Sequence, residues 1–304
     1  MRVFITGGTG FIGRHVMEQL QASGHEILAS TLEKDKTENG SSSIFWLYCD
    51  LANFENIKVE IKSFNPEAVI HLAWQGIPDY SETISRINLN NSIDLIDFIL
   101  NNTTCKKILV SGSCWEYGKK HGACKESDPV NIDSYFTWAK HSLNQYLSVK
   151  CAKNNVTVNW FRIFYVYGPG QREGSLIPML INSIQASATP PINTPMNKND
   201  FIYVGDVART FAKAVDLEIP SGVYNLGSGT TTSVYDICRI VEKNLLESSS
   251  ISTKVLDNGN QIEGEKFWAD MRKTNDKLDL VLDTSIEKGI TKMLHQNNIQ
   301  GLYK

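Results

Sequence analysis

The sequence predicts an α/β fold in which a doubly wound parallel sheet carries a smaller C-terminal α+β lobe. Through the first half of the 304 residues, short apolar runs alternate with segments whose apolar residues recur at helical spacing. A glycine-rich turn joins the first strand-like run to the first helix-like segment. This alternation is typical of parallel strands joined by right-handed helical crossovers.

The first half of the chain divides into elements in a regular order. Short apolar and β-branched runs predict strands at residues 2–6, 26–31, 44–48, 67–73, 107–112 and 156–163. Helical periodicity predicts a helix that starts near Phe11 and further helices over residues 54–64, 83–101 and about 133–154. A polar loop is expected around residues 34–43.

The alternation loosens beyond Gly168-Pro169-Gly170. A helix is predicted over residues 176–187, a strand over 200–204 and a helix over 206–217, and the last third mixes short elements with turn residues. We expect residues 1–165 and about 200–224 to form the nucleotide-binding domain. Residues 166–199 and 225–304 are expected to form the smaller lobe, over the sheet edge where ligands bind.

Composition limits the class of protein. A formal charge of -3 gives no indication of a nucleic-acid partner, and no apolar run approaches the length of a membrane span. The six cysteines are scattered without CxxC pairs, which favours reduced thiols over a disulfide framework or a zinc site. We therefore expect a soluble cytoplasmic protein with no metal site.

The glycine-rich turn is the most informative local pattern. Residues 6–13 (TGGTGFIG) lie between a strand and a helix, as a dinucleotide-binding turn requires. Gly7 allows a tight turn, Gly10 lets the backbone approach a pyrophosphate, and Gly13 lets the helix pack closely. The helix N-terminus then favours the anionic phosphates. The pattern predicts a Rossmann-type nucleotide site rather than a purely structural turn, with contacts from Gly7, Thr9, Gly10, Phe11, Ile12 and Gly13.

Further motifs follow this turn along nearly the whole chain. They are Cys49-Asp50-Leu51, His71-Leu72-Ala73, residues 111–118 (SGSCWEYG), Arg162 with residues 166–171 (VYGPGQ), residues 200–208 (DFIYVGDVA) and residues 222–229 (GVYNLGSG). In this order the sequence resembles the extended short-chain dehydrogenase/reductase family, in the branch that epimerises, dehydrates or reduces nucleotide-activated sugars. The resemblance implies a nicotinamide cofactor and a nucleotide-activated sugar as the partner molecules.

The resemblance also implies hydride transfer assisted by a serine or threonine, a tyrosine and a lysine. Ser113 matches the family's serine and Lys140 its lysine, but the position four residues before Lys140 holds Phe136. A phenyl ring exchanges no proton. Tyr135 would point about 100° away on a regular helix. Three alternatives stay open: an engineered Tyr→Phe form that traps substrate, a naturally impaired or repurposed member, or a helix irregularity that brings Tyr135 into the site.

The end of the second predicted strand bears on the choice of cofactor. NAD-preferring relatives place an acidic residue there, which would repel the 2′-phosphate of NADP. Here the strand ends in Ser30-Thr31-Leu32, and Lys34 and Lys36 follow Glu33. The resemblance therefore favours NADP(H), and it implies cofactor contacts at Thr31, Asp50, Leu51, Leu72, Ala73, Ser111, Lys140 and Phe164.

The reaction is narrowed by the residues after Ser113. Family dehydratases carry Asp-Glu there, whereas this chain has Cys114 and Trp115, which disfavours loss of water. Together with Thr31, this favours a 4-ketoreductase of a nucleotide-linked deoxysugar. A nucleotide-sugar 4-epimerase with tightly bound NAD and a non-catalytic cofactor-binding sensor remain alternatives. The implied substrate contacts are Trp74, Gln75, Ser113, Cys114, Trp115, Arg172, Ser175, Leu176, Lys198 and Arg272.

The two long predicted helices, around residues 83–101 and 133–154, bear on the oligomeric state. In the family these helices frequently pair between subunits as a four-helix bundle, so we expect a homodimer. The candidate seam residues, which serve equally well as core residues, are Ile93, Ile96, Leu143 and Leu147.

Overall fold

The computed structural model describes residues 1–34, 43–246, 249–260 and 266–301 of the chain. Most of the polar loop expected around residues 34–43 lies outside these ranges, and so does Lys36. The strands are β1 (Arg2–Thr6), β2 (Glu26–Thr31), β3 (Ile44–Tyr48), β4 (Ala68–His71), β5 (Lys107–Ser113), β6 (Gly122–Cys124), β7 (Thr157–Ile163), β8 (Tyr165–Tyr167), β9 (Lys198–Asn199), β10 (Phe201–Tyr203), β11 (Gly222–Leu226), β12 (Thr232–Ser233) and β13 (Lys266–Ala269).

The helices connect these strands across both faces of the main sheet. They are α1 (Phe11–Ala22), α2 (Lys58–Phe64), α3 (Glu82–Asn102), α4 (Tyr135–Lys153), α5 (Leu176–Gln185), α6 (Val204–Asp216), α7 (Val234–Leu246), α8 (Ser250–Asn258), α9 (Arg272–Leu278) and α10 (Ile286–Gly301). Within the residues that the structure describes, two 3-10 helices, Leu51–Ile57 and Cys114–Tyr117, add to them.

The main sheet has seven parallel strands in the order β11-β7-β5-β4-β1-β2-β3. The predicted doubly wound parallel α/β fold is confirmed. Its central strands are buried on both faces, which is why they read in the sequence as continuous apolar runs. The strand order reverses between β1 and β4, so their carboxyl ends border the crevice in which such sheets bind ligands.

Two smaller sheets lie outside the main one. One pairs β10 with β8, and the other has the order β12-β9-β13-β6. Helices α5, α7 and α8 pack their apolar residues into a separate core, to which Ile181, Val241 and Val255 belong. The boundaries of the two predicted lobes remain a prediction.

Two segments differ from the sequence-based expectation. The helix predicted over residues 54–64 is split into the 3-10 helix Leu51–Ile57 and α2, because Ile57, at the junction, has φ of -118° and ψ of 5°. The 3-10 helix starts before residue 54, where the Asp50 side chain accepts a hydrogen bond from the backbone N–H of Ala52. The stretch expected as a loop before residue 133 contains the second 3-10 helix and β6.

Three of the four candidate seam residues, Ile96, Leu143 and Leu147, are fully buried in the chain's own core between α3 and α4. They pack inside one subunit, and the homodimer itself stays a prediction. All six cysteines are buried and free. Among the described residues, no helix combines the length and apolar character needed to cross a membrane, and no three His, Cys, Asp or Glu side chains form a metal site.

Candidate active site

The turn between β1 and α1 forms a backbone cradle. Gly7 has φ of 74°, and a Cβ placed there would lie 3.0 Å from the backbone nitrogen of Ala73. A Cβ at Gly13 would lie 2.0 Å from the carbonyl oxygen of Gly7, so only glycine lets α1 approach this closely. No side chain caps the start of α1 and its first turn has no acidic residue. These features fit the pyrophosphate of a dinucleotide.

Polar groups at the ends of the next strands surround this cradle. The hydroxyl groups of Thr9 and Thr31 are 3.1 Å apart, and Thr31 Oγ1 also accepts a hydrogen bond from the backbone N–H of Glu33. The Lys34 ammonium lies over the Tyr48 ring. The end of β2 carries hydroxyl side chains at Ser30 and Thr31, and Glu33 is the first acidic residue after the strand. These residues fit a dinucleotide.

The loop between β4 and α3 is held by a buried chain of hydrogen bonds. His71 joins the Thr6 hydroxyl through Nδ1 and the Ser92 hydroxyl through Nε2, each at 2.8 Å. Asn88 then clamps the loop, because its Oδ1 accepts from the backbone N–H of Gln75 and its Nδ2 donates to the carbonyl of Gln75. Burial, followed by the Lys140 charge, lowers the pKa of His71 to about 3, so the imidazole stays neutral.

Ser113 lies at the end of β5, where a buried ion pair fixes its position. Its backbone N–H donates to Glu116 Oε1 at 2.9 Å. The Glu116 carboxylate is fully buried and also accepts hydrogen bonds from Trp160 Nε1 and Arg162 Nε. Sequence reasoning missed this role of Glu116, although the residue stands inside the SGSCWEYG motif.

Helix α4 brings Phe136 and Lys140 towards Ser113. The Ser134 side chain caps the helix, whose first residue is Tyr135. Lys140 Nζ donates a 2.8 Å hydrogen bond to the carbonyl of Ser111 and lies 4.0 Å from the centre of the Trp74 ring. Burial lowers the pKa of Lys140 to about 7, partly offset by the Glu116 charge. The lysine is therefore poised between its charged and neutral forms near neutral pH.

Phe136 is the centre of a group of four rings that we call the aromatic cluster: Trp74, Tyr80, Trp115 and Phe136. The Phe136 ring centre lies 5.5 Å from Trp74, 5.2 Å from Tyr80 and 5.8 Å from Trp115. Tyr80 and Trp115 also pack edge to face, at 5.2 Å. The structure thus brings the predicted substrate contacts Trp74 and Trp115 to Phe136. It adds Tyr80, which no motif in the sequence indicated.

Tyr135 lies on a different surface. Its side chain is half exposed and lines an open groove of about 700 Å³. The residues around this groove are Tyr80, Glu82, Arg86, Ile132, Asp133, Ser134, Tyr135 and Trp138. Phe136, by contrast, is only 7% exposed. Tyr80 therefore borders both the aromatic cluster and the groove.

The remaining predicted site residues are more widely distributed. Gln75 directs its Nε2 to Asp50 Oδ1 at 2.7 Å, which ties the β4–α3 loop to the start of the first 3-10 helix rather than to the aromatic cluster. Arg272 is exposed and pairs with Asp270. The other predicted site residues are distributed as follows: Leu51 at the start of the first 3-10 helix, Leu72 and Ala73 directly after β4, Cys114 and Phe164 in the core, Arg172, Ser175 and Leu176 before and at the start of α5, and Lys198 in β9.

Comparison with known families matches residues 3–227 to the NAD dependent epimerase/dehydratase family. The chain belongs to this family. The resemblance to the extended short-chain dehydrogenases and reductases is thereby confirmed, and the family's dependence on NAD agrees with the dinucleotide cradle.

Several curated members of this family are similar to the chain. The dTDP-6-deoxy-L-talose 4-dehydrogenase (NAD(+)) of Aggregatibacter actinomycetemcomitans is 25% identical over 239 residues, which are 77% of this chain and 87% of the relative. The dTDP-4-dehydro-6-deoxyglucose reductase of Escherichia coli is 27% identical over 263 residues, or 82% and 83% of the two chains.

A solved structure supports the fold. The UDP-glucose 4-epimerase of Thermotoga maritima, solved with UDP-glucose, superimposes with a TM-score of 0.83 at 21% identity. The match covers 99% of this chain and 100% of the epimerase.

Proposed function

We propose that this protein reduces a nucleotide-linked 4-keto-deoxysugar with NADP(H). The observation that carries the proposal is the contact of Lys140 with the strand that ends in Ser113, two strands away from the strand that leads into the dinucleotide cradle. Lys140 Nζ is bonded to the carbonyl of Ser111, two positions before Ser113 on the same strand. A hydroxyl and an ammonium group at the carboxyl end of the sheet suit the polarisation of a sugar carbonyl.

Ser113, Lys140 and the aromatic cluster have different roles in the proposed reaction. The backbone at Gly7, Gly10 and Gly13 would hold a nicotinamide dinucleotide, which would supply the hydride. Ser113 donates a hydrogen bond to the carbonyl oxygen. The Glu116–Arg162 pair holds the backbone N–H of Ser113, and the Ser113 hydroxyl accepts a hydrogen bond from the backbone N–H of Trp115 at 3.2 Å. In its protonated form Lys140 places a positive charge near the reacting carbonyl, and the aromatic cluster excludes water from one side of the sugar.

Reduction is favoured over dehydration by the state of Cys114. Burial raises the pKa of its thiol well above the usual value, so the thiol neither gives nor takes a proton near neutral pH. Trp115, in the next position, belongs to the aromatic cluster. The similarity to a dTDP-4-dehydro-6-deoxyglucose reductase supports the same reaction class.

Phe136 favours a second candidate, a protein that binds cofactor without turnover. The test is NADPH or NADH oxidation with a panel of nucleotide-linked 4-keto-6-deoxy sugars, comparing the wild-type chain with Phe136→Tyr. We expect both to oxidise NADPH with at least one sugar, and to do so at least about tenfold more efficiently than NADH.

The other outcomes are equally informative. If neither form reduces any 4-keto sugar, the reductase proposal is wrong and the non-catalytic candidate stands. If purified protein retains NAD tightly and interconverts two sugars that differ at C4, the protein is an epimerase.

A further inference from the structure

Reduction of a carbonyl consumes a proton as well as a hydride, and Phe136 provides none. Three phenol groups lie on segments around the site: Tyr80, Tyr117 and Tyr135. Their surroundings differ enough to separate them.

Tyr117 is buried in the core, and its hydroxyl already has a hydrogen-bond partner. Its hydroxyl donates a 2.6 Å hydrogen bond to Asn225 Oδ1, and the ring lies beneath the Arg162 guanidinium. Burial raises the pKa of Tyr117 to about 12. Transfer of its proton would leave a buried phenolate and break the bond to Asn225.

Tyr135 is on the outer wall of the groove. Its side chain is 51% exposed, whereas Phe136, the next residue, is turned into the aromatic cluster. Successive residues on a helix differ in direction by about 100°. Helix α4 begins at Tyr135, so the two rings point to different surfaces.

Tyr80 lies inside the cluster. Its ring centre is 5.2 Å from that of Phe136 and 5.2 Å from that of Trp115. Within the described part of the chain its hydroxyl makes no hydrogen bond, and the side chain is only partly buried. It also lines the open groove beside Glu82 and Arg86, so water reaches it from the outer side.

We propose that Tyr80 is the proton donor of this reductase, a proposal that rests on the function proposed above. The carbonyl carbon gains the hydride supplied by the reduced nicotinamide, and the π pair of the C=O bond moves to oxygen. The O–H bond of Tyr80 breaks and its proton goes to that oxygen. The products are the alcohol, the oxidised cofactor and a phenolate, which regains a proton from water in the groove.

The electrostatics of the cluster favour this step. The Lys140 ammonium lies 4.0 Å from the centre of the Trp74 ring and 6.0 Å from that of Phe136. A positive charge on the inner side of the cluster stabilises the phenolate that Tyr80 leaves behind. The loop that carries Tyr80 is tied at its other end by Asn88.

The test combines Tyr80→Phe with the double variant Tyr80→Phe/Phe136→Tyr. General acid catalysis contributes about 10²–10⁴-fold, so we expect Tyr80→Phe to lower kcat within that range while the KM for the sugar stays close to wild type. The double variant should regain turnover, because it restores a phenol at the family's position. Tyr235→Phe, which removes a hydroxyl from α7, is the matched control and should behave as wild type.

A second measurement separates catalysis from a structural effect. In the wild-type chain kcat should show a solvent deuterium isotope effect, because the proton of the Tyr80 hydroxyl moves during turnover. The isotope effect should be absent from the residual activity of Tyr80→Phe. Unchanged kcat in Tyr80→Phe, a change in KM alone, an inactive double variant, or loss of turnover in Tyr135→Phe in its place would each overturn the proposal.

The assay of the wild-type chain tests the proposal for Tyr80 separately from the proposed reductase activity. If Phe136→Tyr reduces a 4-keto sugar and the wild-type chain does not, Tyr80 is not a donor and the reductase site stands. If neither does, both proposals fall together.

Discussion

At the scale of single residues, the surroundings of Lys140 work strongly against its charge. It is almost completely buried, and a carbonyl oxygen and an indole face are its nearest partners. Removal from water disfavours the ammonium form, which is why its pKa falls from 10.5 to about 7. The charge is retained at a cost in stability.

That cost depends on pH. Unfolded Lys140 keeps its proton up to about pH 10.5, whereas the folded chain releases it near pH 7. Between these values the unfolded state binds more protons, so the free energy of unfolding rises with pH. Relative to Lys140→Met, the wild-type chain should gain more than about 1 kcal/mol from pH 7 to pH 10, as measured by urea unfolding of both proteins.

The control for this measurement is Lys62→Met, which removes an exposed lysine from α2 and should leave the pH dependence unchanged. A difference between Lys140→Met and wild type that stays constant with pH would show that the lysine titrates as it does in water.

Thr31 is the residue that tests the cofactor preference. A carboxylate at the end of β2 would repel a 2′-phosphate and bind the ribose hydroxyls of NAD. We expect Thr31→Asp to shift kcat/KM from NADPH towards NADH by at least about tenfold. Thr31→Asn, which is nearly the same shape without the charge, should shift it far less, and equal shifts in both variants would refute the electrostatic explanation.

At the scale of elements, prediction succeeded where a signal is local. The central strands of the main sheet are buried on both faces, so each is a continuous apolar run, and the glycine turn is a contiguous motif. Strands β6, β9 and β12 have two or three residues each and form only by pairing with distant segments. No local sequence pattern therefore predicts them.

The same distinction applies to the site. Ser113, Phe136 and Lys140 were selected by motif and spacing. The structure places Ser113 at the end of β5 and the other two on α4, where Phe136 and Lys140 both contact the Trp74 ring. Glu116 acquires its role from Trp160 and Arg162 on another strand. Tyr80 belongs to a loop without a motif, and only the fold brings its ring to Phe136.

At the scale of the whole molecule, Asp200 joins three distant segments. Its Oδ1 accepts from the backbone N–H and the hydroxyl of Ser228, and its Oδ2 accepts from the backbone N–H groups of Gly229 and Ala269. The carboxylate is fully buried, and a Cβ at Gly227 would lie 2.4 Å from it. Asp200 thus links β10, the turn after β11 and the end of β13.

We expect Asp200→Asn to lower the free energy of unfolding by about 3 kcal/mol, because an amide NH₂ would face backbone N–H donors and lose their hydrogen bonds. Chemical denaturation measures the loss. Asp276→Asn, an exposed position on α9, should change the stability by less than about 0.5 kcal/mol. Similar effects of the two substitutions would mean that Asp200 does not hold these segments together.

Because Glu116 and Arg162 form a buried ion pair, substitutions on the Trp115 side of the aromatic cluster destabilise the protein more than substitutions on the Tyr80 side. Trp115 follows the end of β5, whose Ser113 is hydrogen-bonded to that pair. A substitution of Glu116 or Arg162 would leave the other charge unpaired in the core. Tyr80 ends a loop whose residues Gly76, Ile77, Pro78 and Asp79 are open to solvent. Relatives that diverge from this chain are therefore freer to change residues 76–79 than to change the strand end beneath Trp115.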